Sequence, residues 1–330
     1  MKKILFGLIL ITLVLSMSLT GYMVEEKLTW SEGWPKKIRI GAGPIGAGYY
    51  MGGSCLANVL IKEFPELEVI VEQTKAAIHN TKLIDADEVE FAMCDTTVAF
   101  EGWNGLGPFE GIACKGLRIF MVAWPNPVTF VTLQKGGVTD VKDFKGKYSG
   151  LSMGSSVDSL TRKLVDTLDI KTEVINISVN DGVQALRNGI ISGYTIGHPN
   201  PATQDLSMQV DIRVLGVNGD NAVQFIKAHP EYTYPLTVPG GYYKGAEEPF
   251  DSIGYYNILI TRDDLPENMI YTVLQAMYKH KDIIEATWPI FVTGMDLDYV
   301  KFLSAPIHKG SIKYYRELGA EIPEVGVLDE

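Results

Sequence analysis

Cysteine is scarce in this chain. Cys55, Cys94 and Cys114 are the three thiols in 330 residues, without CxxC or CxxxC spacing, which excludes a disulfide-framework protein. Buried thiols are expected, with a single disulfide open as the alternative. The five histidines show no paired metal-ligand spacing, so no zinc site is expected. Basic charge is in deficit too. Lysine and arginine total 29 against 40 acids, a net charge of −11, and such a surface repels nucleic acid. Long apolar runs are almost missing. The one present, residues 4–15, is shorter than the ~20 residues of a spanning helix, which excludes a polytopic membrane protein. No internal repeat or low-complexity segment is visible.

That apolar run carries the first positive signal. Lys2 and Lys3 precede it, and Ser16, Ser18, Thr20 and Gly21 follow. A basic start, an apolar middle and a small-residue exit define a secretory signal, here residues 1–20, with a retained anchor as the alternative. No cysteine follows the run and no twin arginine precedes it, so neither a lipoprotein nor export with a preloaded cofactor is expected. The expectation is an acidic, soluble, periplasmic protein.

With 46 % hydrophobic and 21 % charged residues, the remainder is an ordinary globular chain whose length suits two domains. From residue 36 strand and helix patterns alternate. Strands are expected at 37–40, 68–72, 91–94, 117–123, 129–134, 148–153, 173–177, 192–196 and 253–261. Helices are expected at 49–64, 156–168, 181–188, 201–209, 266–284 (with Pro266 in its first turn) and 307–318. Trp124-Pro-Asn-Pro127 is expected to break the strand before it. The fold class is α/β, with parallel sheets flanked by helices. Two sheets linked near 125–132 and 245–257 give two lobes: 36–130 plus 256–330, and 131–255.

Two motifs invite an enzyme reading. Gly41-Ala-Gly43-Pro-Ile-Gly46 lies between a strand and a helix, as in dinucleotide-binding turns. The same turn also serves any carboxylate, or only the chain's geometry, because its glycines bring backbone amides to a helix N-terminus. The export signal and the bulky Tyr49-Tyr50 pair weigh against a nucleotide. Gly150-Leu-Ser152-Met-Gly154 matches a nucleophile elbow. However, Ser155-Ser156-Val157-Asp158 reads as a helix cap, which leaves Ser152 on a strand, away from the turn where a nucleophile must sit.

The order of further segments resembles the TAXI family of solute receptors, the extracytoplasmic binding proteins of tripartite ATP-independent periplasmic (TRAP) transporters. Gly41 to Gly46, then Gly48-Tyr49-Tyr50-Met-Gly52-Gly53, is similar to the family's opening. Gln73-Thr74-Lys75-Ala76-Ala77-Ile-His79-Asn80 is similar to its Ser-Thr-Gly-Gly-Ser…Glu-Asn segment, and Met93-Cys94-Asp95-Thr96-Thr97 to its Gln-Ser-Asp segment. Asp143-Phe-Lys-Gly-Lys147 with Gly154-Ser155-Ser156, Gly197-His198-Pro199-Asn200-Pro201, Asp264-Leu-Pro-Glu267 and Pro306-Ile-His308-Lys-Gly310 follow in family order. The resemblance spans residues 37–322. It implies a type II periplasmic-binding-protein fold, a monomer without cofactor or catalysis, closure on a small solute, and delivery to TRAP permease subunits. A sensor of the same fold without a permease is the alternative. Two departures stand out: Thr74-Lys75-Ala76 replaces Thr-Gly-Gly, and Met93-Cys94-Asp95 replaces Gln-Ser-Asp.

In open α/β sheets ligands bind beyond the carboxyl ends of strands. Those ends nominate Gly46, Gly48, Tyr49, Tyr50, Thr74, Lys75, Ala76, Asn80, Asp95, Thr96, Trp124, Ser155, Ser156, Pro199 and Asn200 as ligand contacts. Ser155 and Asp95 also suit the plainer role of capping the helices they precede. Bare helix starts and a lysine favour an organic anion, such as a dicarboxylate, a 2-oxo acid or an acidic amino acid.

Overall fold

The computed structural model describes residues 27–328 except Ser152 and Gly154. The expected signal segment and Ser152 lie outside the described residues. Along the chain run β1 (Lys37–Gly41), α1 (Gly48–Glu63), β2 (Glu68–Glu72), α2 (Ala77–Asp85), β3 (Phe91–Asp95), α3 (Thr96–Asn104) and the long β4 (Leu117–Leu133). Next come β5 (Gly146–Ser149), α4 (Ser156–Thr167), β6 (Thr172–Ile175), α5 (Val179–Arg187), β7 (Tyr194–Gly197), α6 (Pro201–Gln209) and β8 (Ile212–Leu215). The chain continues through α7 (Gly219–Ala228), β9 (Thr233–Val238) and β10 (Phe250–Arg262), and ends in α8 (Glu267–Lys279), α9 (Lys281–Thr287), α10 (Pro289–Val292) and α11 (Lys309–Glu317).

The first sheet is ordered β2-β1-β3-β10-β4, with β9 added to β10. Parallel pairing runs in register from Lys37↔Glu68 to Gly41↔Glu72. In β1 the alternating Ile38 and Ile40 are fully buried, the period-2 signature of a core strand. β4 is shared. Its first part, from Leu117↔Arg262 to Pro127↔Gly254, pairs antiparallel with β10. Its last residues pair with β7, from Val128↔Gly197, and with β8, from Phe130↔Leu215. β5 then joins β7 and β6 to complete the second sheet.

Each sheet carries its own core. One apolar cluster surrounds the first sheet. The second sheet has a cluster on each face, and β4 feeds both by alternation: Val128 and Phe130 point into one, Val131 and Leu133 into the other.

The break expected at Trp124-Pro-Asn-Pro127 is absent, because β4 passes straight through it. The Pro127 carbonyl accepts from the His198 amide at 2.9 Å, so the polar backbone side of residue 127 faces β7, away from β10. Pro125 shares that side, and β7 pairs only from Val128. Pro125, beyond the end of β7, therefore costs no ladder bond, and Pro127, opposite His198, forfeits one at the end of the β4–β7 pairing while still accepting from the His198 amide. The helix expected at 266–284 is likewise corrected. Pro266 stands before α8 rather than within its first turn, and α8 and α9 are separated by His280, with φ −106° and ψ 45°. The His280 ring is held 2.5 Å from Glu63.

All three cysteines are free and buried. Burial pushes the Cys55 thiol up to about 12 and the Cys114 thiol to about 11, so both stay protonated and unreactive. Among the described residues no helix is long and apolar enough to cross a membrane.

Candidate functional site

A cavity of about 470 Å³ opens where the two sheets meet. Three helix starts frame it. Ala47, Gly48 and Tyr49 come from the start of α1, Lys75, Ala76 and Ala77 from α2, and Ser155 and Ser156 from α4. The crossing strands supply the base: Trp124 and Asn126 from β4, Tyr255 and Asn257 from β10.

The helix starts differ in one respect. α4 is capped by its own Ser155, whose hydroxyl accepts from the Asp158 amide at 3.2 Å. α1 and α2 are preceded by Ala47 and Ala76, which offer no side-chain cap to the helix amides that follow, while the Ala76 amide itself donates to the Thr74 hydroxyl at 3.0 Å. The first amides of two helices are thus left without a side-chain acceptor beside the cavity, each at the positive end of a helix dipole. Lys75, exposed and on the cavity wall, adds a full positive charge.

Asp95 lies beneath this surface and is fully buried. Its Oδ1 caps α3, accepting from the Thr97 amide at 3.1 Å, the Thr97 hydroxyl at 2.6 Å and the Val98 amide at 3.0 Å. Its Oδ2 accepts from the Ser156 hydroxyl at 2.7 Å and the Tyr49 hydroxyl at 3.2 Å. Five donors account for the carboxylate, which fixes the walls and is not itself on the cavity surface. Burial, then the Asp95 charge, pushes the Tyr49 phenol well above its ordinary range, and the same causes raise Tyr255. Both hydroxyls remain neutral donors. Trp124 is braced edge-on by Tyr49 at 6.3 Å and Trp288 at 6.5 Å between ring centres.

Of the residues nominated from sequence, Gly48, Tyr49, Lys75, Ala76, Trp124, Ser155 and Ser156 come together on the wall. The others serve the scaffold around it. The Thr74 hydroxyl donates to the Ala42 carbonyl at 3.1 Å, and the Asn80 amide donates to the Ala42 and Met93 carbonyls, both at 2.7 Å. The Thr96 hydroxyl accepts from the Tyr256 amide at 3.2 Å. Gly46, at φ +84°, makes the turn into α1, and the Tyr50 carbonyl accepts from Ser54. Pro199 and Asn200 lie off the wall, with the Asn200 side chain capping α6. The nominations missed Asn126, Tyr255, Asn257 and Met153, all lining the cavity. An asparagine between two prolines was the one available signal.

The TctC solute binding protein from Polaromonas shares this architecture with a TM-score of 0.52 at 15 % identity, over 77 % of this chain and 87 % of that one. The periplasmic aliphatic sulphonate binding protein SsuA from Escherichia coli aligns at TM-score 0.49 and 15 % identity, over 86 % and 83 % of the two chains. The probable amino-acid ABC transporter extracellular-binding protein ytmK from Bacillus subtilis aligns at 0.49 and 11 %, over 78 % and 97 %. The fold is the two-lobed α/β fold of the TctC solute binding protein. The chain belongs to the NMT1-like family, whose model matches residues 40–319.

Proposed function

We propose that this protein is an extracytoplasmic receptor that captures a small organic anion in the cavity and hands it to membrane transport subunits. One observation carries the reading: two helix starts without side-chain caps converge with Lys75 on a single wall. Backbone amides at helix N-termini recognise carboxylates and similar groups. Trp124, Tyr49 and Tyr255 offer an apolar surface for the body of the solute, and Asn126 and Asn257 offer carboxamides for its remaining polar groups.

Closure moves residues 36–130 plus 256–330 against 131–255 about β4 and β10, favoured by the better contacts a solute makes in the closed form. The sequence motifs favour a TAXI-type receptor serving a TRAP permease. The export-like N-terminus favours a periplasmic location.

A thermal-shift screen of dicarboxylates, 2-oxo acids and amino acids, with neutral sugars and organic cations as controls, tests the reading. A rise in Tm with anions is expected. A rise with only sugars or cations would overturn it. Uptake by the receptor reconstituted with a TRAP permease, driven by an ion gradient without ATP, tests the partner.

A further inference from the structure

From the cavity wall a polar seam runs outward between the two halves of the molecule. α3 packs on β3, β4 and β10 of the first sheet, whereas α4 packs on β6, β7 and α7 of the second. Asp95 and Glu101 on the α3 side face Ser156 and Lys163 on α4. Residues 156 and 163 are seven apart, two helical turns, and so share one face of α4.

Lys163 is held by two carboxylates of different origin. Its Nζ lies 2.6 Å from Glu231 Oε1, in the segment after α7, and 3.0 Å from Glu101 Oε1 on α3. It also stands 5.1 Å from the centre of the Tyr232 ring. Glu231 and Tyr232 belong to the same half as Lys163, so they hold the ammonium in place whatever the other half does. Glu101 reaches it from across the gap. Both carboxylates are buried, at 8 % and 5 % exposure. Burial raises the Glu101 carboxyl and the neighbouring lysine opposes that rise. None of Glu101, Lys163 and Glu231 lines the cavity.

We infer that the Glu101–Lys163 pair is a latch that sets the balance between open and closed forms before any solute binds. Opening hydrates Glu101 and leaves the Lys163–Glu231 pair intact, so only one ion pair is exchanged for water. Removing one charge therefore shifts the balance by a limited and measurable amount. The inference rests on the receptor reading, because it takes the two halves to move about the cavity, but its readout needs no solute.

Paired spin labels at Ile61→Cys on α1 and Met208→Cys on α6, both exposed in this structure, report the separation of the halves; the native thiols are buried. In the ligand-free protein, Glu101→Gln should raise the ratio of long to short label distances at least threefold. The best solute from the screen should then bind more weakly, by no more than the factor by which that ratio rises, since more of the protein must be closed on binding. Lys163→Gln is an independent second variant with the same expectation. A ligand-free distance distribution unchanged in both variants would overturn the latch. If distances shift but no screened solute binds, the latch stands and the solute reading fails.

Discussion

Asn126 sits directly over Gly197. A β-carbon at position 197 would stand 2.7 Å from Asn126 Oδ1 and 3.1 Å from its Nδ2. The two residues occupy β4 and β7 just where β4 passes from one sheet to the next, and Asn126 also lines the cavity. The bare glycine is what allows the amide to lie there.

Gly197→Ala should therefore turn the Asn126 side chain out of place and weaken solute binding by roughly 3- to 30-fold, the effect of one misplaced hydrogen-bonding group. The double variant Gly197→Ala/Asn126→Ala should recover the Tm lost by the single one without recovering affinity. Calorimetric titration and thermal melts of all three variants give the cycle; strictly additive effects would mean the contact is not shared.

Lys75→Ala should cost at least tenfold in affinity for an anionic solute, because a charge-assisted bond contributes ~1.5–3 kcal/mol. The Tm of the empty protein should move by no more than ~1–2 °C, since an exposed lysine adds little to stability. An affinity within twofold of wild type would mean that Lys75 points to solvent instead.

Ala76 adopts φ 68° and ψ −155°, a region that essentially only glycine occupies without strain. Ala76→Gly should relieve more strain than the added chain entropy costs, a net gain of up to ~1 kcal/mol and ~1–3 °C in Tm. A lower Tm would show that the alanine methyl is packed rather than strained.

His308 governs part of the acid response. Its Nδ1 accepts from the Gly310 amide at 3.1 Å at the start of α11, so Nε2 carries the proton and donates to the Leu265 carbonyl at 3.1 Å. A protonated ring cannot accept that amide. Burial holds its pKa down at about 4, against 6.5 for a free histidine, and buried His198 is lowered to about 4 likewise. Between those values the unfolded chain binds more protons than the folded one. Stability should thus be fully present near pH 7 and fall as pH drops from ~6.5 towards ~4, by ~2–4 kcal/mol for His308. His308→Asn keeps an acceptor for the cap but does not titrate, so urea unfolding of this variant between pH 7 and 5 should show a shallower loss. Equal slopes would assign the acid sensitivity elsewhere.

Periodicity revealed the elements whose side chains alternate cleanly. Ile38 and Ile40 of β1 and the run Glu68–Glu72 of β2 read directly from the sequence, as did α6 from its proline start. β9 was obscured by Pro235, although Thr233, Leu236 and Val238 are buried beside exposed Pro235 and Thr237. Proline is tolerated there because β9 lies at an edge, pairing only with β10. α3 was obscured by its β-branched and glycine residues, which are poor local helix signals, and Asp95 starts it through its cap. In the cavity, the residues beyond the ends of β1 and β2 were legible because strand ends can be located from sequence, although no helix was expected where α2 stands. Asn126, Tyr255 and Asn257 were not. Which side of a strand faces the cavity depends on how β4 and β10 cross, and only the assembled sheets determine that.

Because β4 serves as a member of both sheets, neither half of the molecule can be excised whole. A cut at residue 127 would leave residues 128–133 with β7 and β8 but would sever the continuous strand that ties the two sheets together. A cut at 133 would give the first half a dangling apolar tail ending in Val128, Phe130, Val131 and Leu133, all buried in the intact chain. Minimal fragments and chimaeras with other receptors should exchange the β5–β8 segment while leaving β4 continuous, since a junction inside it exposes raw strand edges that invite aggregation.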